Sequence, residues 1–522
     1  MWNTLAHSHA NKNRLIAYLS SSIIILYLIF APAANMLYYA EDDFRYTFGQ
    51  TQSCRTGDGL GFMVNVGRPL QAYMSCANFK FGHTLERMSF IRLISIVLMG
   101  LGMGLLADWL CCVGFSSGSA FFVAGLFFLI QRLYGDAVLT GATSLPFAVL
   151  FTIISYRYAE KKSWLLAVIF ILCALLTYPA MAFFFGTLLL LKTLFSPLTA
   201  WRKTRKTLAQ ETALFVAACV IYFLWAHFSS NPHRLPEQYR LQPNLSLAEI
   251  ASRLLPLINV FESGPWKLPL TQPLWQGWIT LSLLVSGLLI GLASFMKSDF
   301  YINNKRMAVS YLGQIIFITT VIFFLCSGFY LIIPGREDMG SRMLFATVAS
   351  GFPIILWCIY QISLLFPMHL RPSAALASVG LLFCITAYKA NIVTTINALN
   401  YAQYISLVKN QITSYLATGA PLQRIHYIVP EPGYPYNKLL LTNAVFARLP
   451  NLPSYKLTWC SPQRSTANAE NEYQREVIKC IATLPVASIA VTFSRPDEPF
   501  TRTPHMLVMQ DKSSFAWELF RY

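Results

Sequence analysis

Charge is what this sequence has least of. Of its 522 residues 12% are Asp, Glu, Lys or Arg and 55% are hydrophobic, whereas an ordinary soluble domain is roughly 25% charged. That scarcity excludes a conventional water-soluble fold for most of the chain and implies a polytopic membrane protein. Familiar chemical motifs are missing as well: there is no Walker loop, no GxGxxG, no HExxH and no CxxC metal knuckle. Nucleotide and zinc-site chemistries therefore lack a handle. Internal repeats and low-complexity tracts are absent, and the first apolar run lacks a small-residue cleavage site, so it reads as a retained helix and not as a signal peptide.

What charge there is carries an excess of Lys and Arg, with a formal net of +17. A nucleic-acid partner would need those residues gathered with aromatics on a soluble face. Here they sit in short loops between apolar runs, and no nucleic acid is expected. The runs lie near 14–35, 89–110, 112–131, 145–157, 164–177, 179–196, 212–228, 273–296, 308–332, 343–366 and 372–390, which predicts about eleven spans of a roughly 30 Å hydrocarbon core. With the N-terminus cytoplasmic, the inside loops 11–14, 157–162, 192–206, 297–306 and 368–371 are all basic, as the positive-inside rule requires. Nearly all the acids then fall outside.

The predicted fold class is an all-α polytopic membrane protein over 1–390, whose first outer loop is 36–88. A small C-terminal α/β extramembrane domain follows over 391–522. Within that tail a helical periodicity gives way to β-rich runs at 424–430, 455–460, 487–493 and 505–510, broken by Pro and Gly. Among 11 cysteines, Cys54 and Cys76 share the first outer loop, and Cys460 and Cys480 share the tail. In an oxidising compartment such pairs suggest two disulfides, with free thiols as the alternative.

Chemistry concentrates in the first outer loop, which opens on EDDFRY (41–46). Glu41, Asp42 and Asp43 stand together just past the first apolar run, followed by Arg45 and by the rigid turn GRPL (67–70) with Arg68. A carboxylate at the lip of a membrane can take a proton from a sugar hydroxyl, and a nearby Arg can hold a phosphate through its two-pronged fork. The bland alternative is that acids after a transmembrane helix form a solvated outer face. A second polar loop, PGREDMGSR (334–342), offers Arg336 and Arg342; Arg342 could equally be an interface anchor that snorkels.

First-loop acids right after the first helix, GRPL some 25 residues on, an Arg step opening a late helix in GSRMLFATVASG (340–351) and an outer terminal domain together resemble the bacterial serotype-converting O-antigen glucosyl transferases. These belong with the GT-C membrane glycosyltransferases. The resemblance covers the layout of the whole chain, through short motifs. It implies a GT-C-like hexosyltransferase of the bacterial inner membrane, with its active site and C-terminal domain periplasmic. Its donor would be a sugar on polyprenyl phosphate, most simply glucose, and its acceptor the O-antigen of lipopolysaccharide. One of Asp42 and Asp43 would be the general base, with Glu41 beside them; Arg45, Arg68, Arg336 and Arg342 would bind substrate. No organic cofactor is implied, and a divalent cation stays open. Alternatives are a GT-C transferase with another acceptor (protein, teichoic acid or lipid A), or a polysaccharide flippase or polymerase.

Overall fold

The structure, a computed structural model of the chain, describes residues 12–40, 43, 47, 54, 59–196, 201–229, 275–296, 305–332, 344–428, 442, 445, 456–460, 470–485, 488–494, 500 and 502–510. The chain divides into two compact units, Met1–Asn35 with Ser53–Thr395, and Met36–Gln52 with Ile396–Tyr522.

The first unit is helical. In order come α1 (Lys12–Asn35), α2 (Gly59–Asn65), α3 (Pro69–Phe81), α4 (Leu85–Val113), α5 (Ser117–Phe128), α6 (Gln131–Leu139), α7 (Ser144–Glu160), α8 (Trp164–Thr177), α9 (Pro179–Ala182), α10 (Phe184–Phe195), α11 (Trp201–Ser229), α12 (Trp275–Met296), α13 (Lys305–Ile332), α14 (Phe345–Ser363) and the long α15 (Arg371–Ala417). Six described helices are long and apolar enough to cross a bilayer, or seven if the bent pair Ser117–Phe128 and Leu133–Leu139 is one span. Two of the expected runs form shorter helices among the described residues. The run at 164–177 becomes a 14-residue helix and that at 179–196 the four-residue α9 followed by a 12-residue helix. At about 1.5 Å per residue neither α8 nor α10 reaches about 30 Å. They break at Tyr178 and Pro179, because a proline ring supplies no N–H to continue the ladder.

Antiparallel α1 and α4 form the tightest pair for a reason the sequence holds in GLGMG (100–104). A Cβ placed on Gly100 would come within 2.7 Å of Ile23 Cα, and one on Gly104 within 2.8 Å of Leu19 Cα. Small residues four apart let two backbones touch where lipid and side chain are equally apolar. Gly104→Leu should therefore destabilise the unit by about 1–3 kcal/mol through overpacking. Thermal unfolding in detergent measures it, and an unchanged midpoint would contradict this contact.

The sequence puts the domain boundary at 390/391, and the two units divide between Thr395 and Ile396, within α15, one continuous helix of 47 residues. Residues 36–52, expected in the transmembrane domain, group with the second unit. There the Tyr38 ring stacks on Tyr401 at 5.9 Å and 8°, an aromatic contact that sequence spacing does not reveal.

In the second unit β1 (Arg424–Ile428), β2 (Lys456–Trp459), α16 (Glu470–Ala482), β3 (Ser488–Ser494) and β4 (Met506–Gln510) build a four-stranded sheet in the order β2-β3-β1-β4. All its pairings are parallel. A disulfide joins Cys460, just past β2, to Cys480 in α16. His426 of β1 is buried, and that burial, aided by the Arg424 charge, pushes its imidazole pKa down from 6.5 to about 3. Between those values the unfolded chain binds the extra proton, so stability falls as pH drops below about 6.5, by roughly 2 kcal/mol at pH 5. Hydrogen exchange in β1 and β3 at pH 7.5 and pH 5, corrected for intrinsic rates, should register that loss; equal protection would contradict it.

Candidate functional site

Asp43 is the first-loop acid that the structure describes. It follows the buried residues Tyr38, Tyr39 and Ala40, and its own side chain is 0% exposed. The backbone N–H of Ala40 donates to its Oδ2 at 2.9 Å, a turn that folds the carboxylate back onto the chain leaving α1. Burying a carboxylate costs several kcal/mol unless it is well partnered, so this residue is not part of a solvated face. Glu41, Asp42, Arg45, Arg336 and Arg342 lie outside the described residues.

Arg68 belongs to the other unit, and its local structure explains GRPL. Gly67 has φ 80°, and the N–H groups of Gly67 and Arg68 donate to Val64 O and Met63 O, both at 2.9 Å. These are the two bonds that close a helix with a left-handed glycine after its last turn. Arg68 is then the N-cap of α3, with Pro69 in the first turn, where a missing N–H costs nothing. The motif is thus a joint between two helices. A disulfide from Cys54 to Cys76 ties α3 back to the preceding chain.

Packing carries this joint down among the helices. The Tyr222 hydroxyl donates to Gly67 O at 3.1 Å, and a Cβ on Gly67 would meet that hydroxyl at 2.9 Å, so glycine is required twice over. Tyr222 lies seven residues before the end of α11, or about 10 Å along its axis. The Arg68 guanidinium lies over the Tyr178 ring, 4.5 Å from its centroid, at the break between the two short helices. Its Nε and, one turn on, Gln71 Oε1 are buried without a hydrogen-bond partner among the described residues. A cation stacked on an aromatic face beside a helix start is suited to a phosphate.

The opposite end of the helical unit holds a second polar cluster. Asp108, near the end of α4, is 0% exposed and accepts from Arg14 Nη2 at 2.9 Å and Arg157 Nη2 at 2.8 Å. Nearby, Lys192 Nζ bridges Glu160 at 3.1 Å and Glu211 at 2.7 Å, while Trp109 Nε1 donates to Glu160 at 2.7 Å. The cluster clasps α1, α4, α7, α10 and α11. These helices are therefore richer in buried ionised groups than their hydropathy suggests. Sequence reading missed it because the partners stand 94 and 49 residues apart.

Two simpler chemistries find no site among the described residues. The chain's single G-x-S-x-G spacing, GFSSG (114–118), is a turn between α4 and α5. Gly114 caps α4 in the left-handed region, and Ser116 caps α5, so it is not a strand-to-helix elbow. Among the described residues no three His, Cys, Asp or Glu side chains converge as metal ligands would. Comparison with protein-family models, with curated proteins and with solved structures yields no match to this chain.

Proposed function

We propose that the protein is a membrane glycosyltransferase that moves a hexose, most simply glucose, from polyprenyl phosphate to lipopolysaccharide O-antigen on the periplasmic face of the inner membrane. The observation that carries this reading is the burial of Asp43. A desolvated carboxylate just beyond the first spanning helix is what proton abstraction from a sugar hydroxyl requires. Asp42 or Asp43 serves as the base; since adjacent side chains point apart, the second acts in support. Glu41 flanks the pair. Arg68 neutralises the phosphate that leaves with the lipid, and Arg45, Arg336 and Arg342 are assigned to the substrates with it.

The Arg68 assignment is tested by substitution. Arg68→Ala should lower transfer at least tenfold, and Arg68→Lys should restore only part of it, because an ammonium cannot reproduce the planar fork or its stacking on Tyr178. Transfer is measured as hexose incorporated into lipopolysaccharide, normalised to protein in the same membranes. Full activity in Arg68→Ala would remove the residue from the site.

A flippase reading draws support from one observation, the fully buried Asp108 and Glu211 in spanning helices, since intramembrane charges often mark a transport path. Each of them, however, is held by a cation within 2.9 Å. Static pairing of this kind suits a structural clasp better than a path whose groups must exchange partners.

A further inference from the structure

The amino end of α11 carries a charge pattern that the transferase reading leaves unused. Arg202, Lys203, Arg205 and Lys206 are exposed in its first two turns, while Trp201, Thr204 and Leu208 are buried. Residues three and four apart share a helix face, so Arg202, Arg205 and Lys206 form one outward patch. A helix dipole favours carboxylates in its first turn and opposes cations there, yet that turn holds no acid. Such a patch calls for an anion.

The protein does not supply one. Among the described residues, the acids at this end of the unit are taken up elsewhere: Asp108 by Arg14 and Arg157, Glu160 and Glu211 by Lys192. The segments 197–200 and 297–304 contain one acid, Asp299, and one base, Lys297, and so add no net charge. The patch is nevertheless held in place. Trp201 Nε1 and Arg205 Nη1 both donate to Gln314 Oε1 of α13, at 3.2 and 3.1 Å. The Trp201 ring meets Tyr311 edge-on at 5.1 Å, and Tyr311 stacks on Phe295 of α12 at 6.0 Å. These contacts lock α11, α12 and α13 together at this level, and they leave the other edge of the Arg205 guanidinium open to a two-pronged bond with phosphate.

Depth and the neighbouring surface narrow the anion. The 29 residues of α11 span about 43 Å, against about 30 Å of hydrocarbon, so its basic first turns reach the layer of lipid headgroups. Beyond the patch the same face continues as Ala209, Ala213, Val216 and Val220, all exposed. This is the outline of a phospholipid: cations for the phosphate, small side chains beside the glycerol and an apolar stripe for an acyl chain. A soluble anion would use the cations and leave the stripe bare. Tyr222, which bonds the GRPL joint, lies roughly 25 Å farther along the helix from Arg205, so the patch is separate from the place assigned to the donor's phosphate.

We propose that the basic amino end of α11 is a binding site for an anionic phospholipid, whose phosphate is held by Arg202, Arg205 and Lys206 and whose acyl chain lies along the Ala209–Val220 stripe. The site uses none of the residues assigned to sugar transfer, so it stands or falls separately from that reading.

The test titrates the full chain, purified in detergent, with phosphatidylglycerol or with phosphatidylcholine of the same acyl chains, and counts bound lipid by native mass spectrometry. Phosphatidylglycerol should bind at least about tenfold more tightly, one cation at a membrane surface being worth roughly that much to an anionic lipid. Arg202→Gln combined with Lys206→Gln should weaken it by up to about thirtyfold. Lys161→Gln combined with Lys162→Gln removes the same charge from exposed residues of the α7–α8 turn and should leave binding within about twofold of the parent. Inorganic phosphate and glycerol phosphate, at the lipid's concentration, should not displace it. The proposal is overturned if phosphatidylcholine binds equally well, if a patch variant with the parent's melting temperature binds phosphatidylglycerol as tightly, if the Lys161 and Lys162 variant loses as much, or if either free phosphate displaces the lipid. Should the patch variant unfold, the lipid preference and the phosphate competition in the parent protein decide.

Discussion

Asp43→Asn is expected to lower hexose transfer by roughly 10²–10⁴-fold, the range a positioned general base contributes, while the protein still inserts in the membrane at its normal level. The substitution is chosen for its shape. Asn keeps a side-chain oxygen able to accept from the Ala40 N–H, which now bonds Oδ2 at 2.9 Å, and it removes only the charge and the capacity to take a proton. A loss of activity without a loss of protein therefore reports on chemistry. Asp42→Asn is the paired experiment, because adjacent residues seldom reach one atom and only one of them should give the full effect. If Asp42→Asn, Asp43→Asn and Glu41→Gln all transferred at near-normal rates, the base would have to be sought in Glu337 or Asp338.

Asp108→Asn should cost about 3–5 kcal/mol of stability, since it strands two guanidinium groups that its carboxylate now neutralises. Arg14 and Arg157 keep 26% and 19% of their side-chain surface, so water relieves part of this and the lower end of the range is expected. The informative comparison is apolar. Asp108→Leu combined with Arg14→Met and Arg157→Met removes every charge of the triad together, and stability should largely return, because an ion pair taken out of water is rarely better than packed side chains of similar size. Unfolding midpoints of the three forms measure the pattern, with transfer assayed alongside. A triple variant that is stable and still transfers hexose makes the triad a clasp. One that is stable but inactive would add Asp108 to the functional residues.

Much of this molecule was open to inspection in the sequence, where the signal was local. The strands β1 to β4 coincide with the four β-rich runs of the tail to within a residue. GRPL stood out as a rigid turn, and its Gly-then-Pro order is the mark of one helix ending and the next beginning. Hydropathy senses apolarity and not length: α8 and α10 are apolar but form short helices. Pairings between distant residues were hidden altogether. Nothing near Asp108 in the chain points to Arg14 or Arg157, and nothing near Tyr38 points to Tyr401. Asp43 lay between the two cases, its position visible and its burial not, because burial depends on what the rest of the chain brings to it.

The central claim is sugar transfer from a lipid phosphate, and reconstitution tests it most directly. Purified protein in nanodiscs is given polyprenyl phosphate carrying radiolabelled glucose, together with lipopolysaccharide bearing O-antigen. The label should pass to the lipopolysaccharide, with release of one polyprenyl phosphate per sugar, and a nucleotide-sugar donor should give nothing. Label that stays on the lipid with glucose and with every other hexose tried, while the folded protein remains intact in the same discs, would contradict the account.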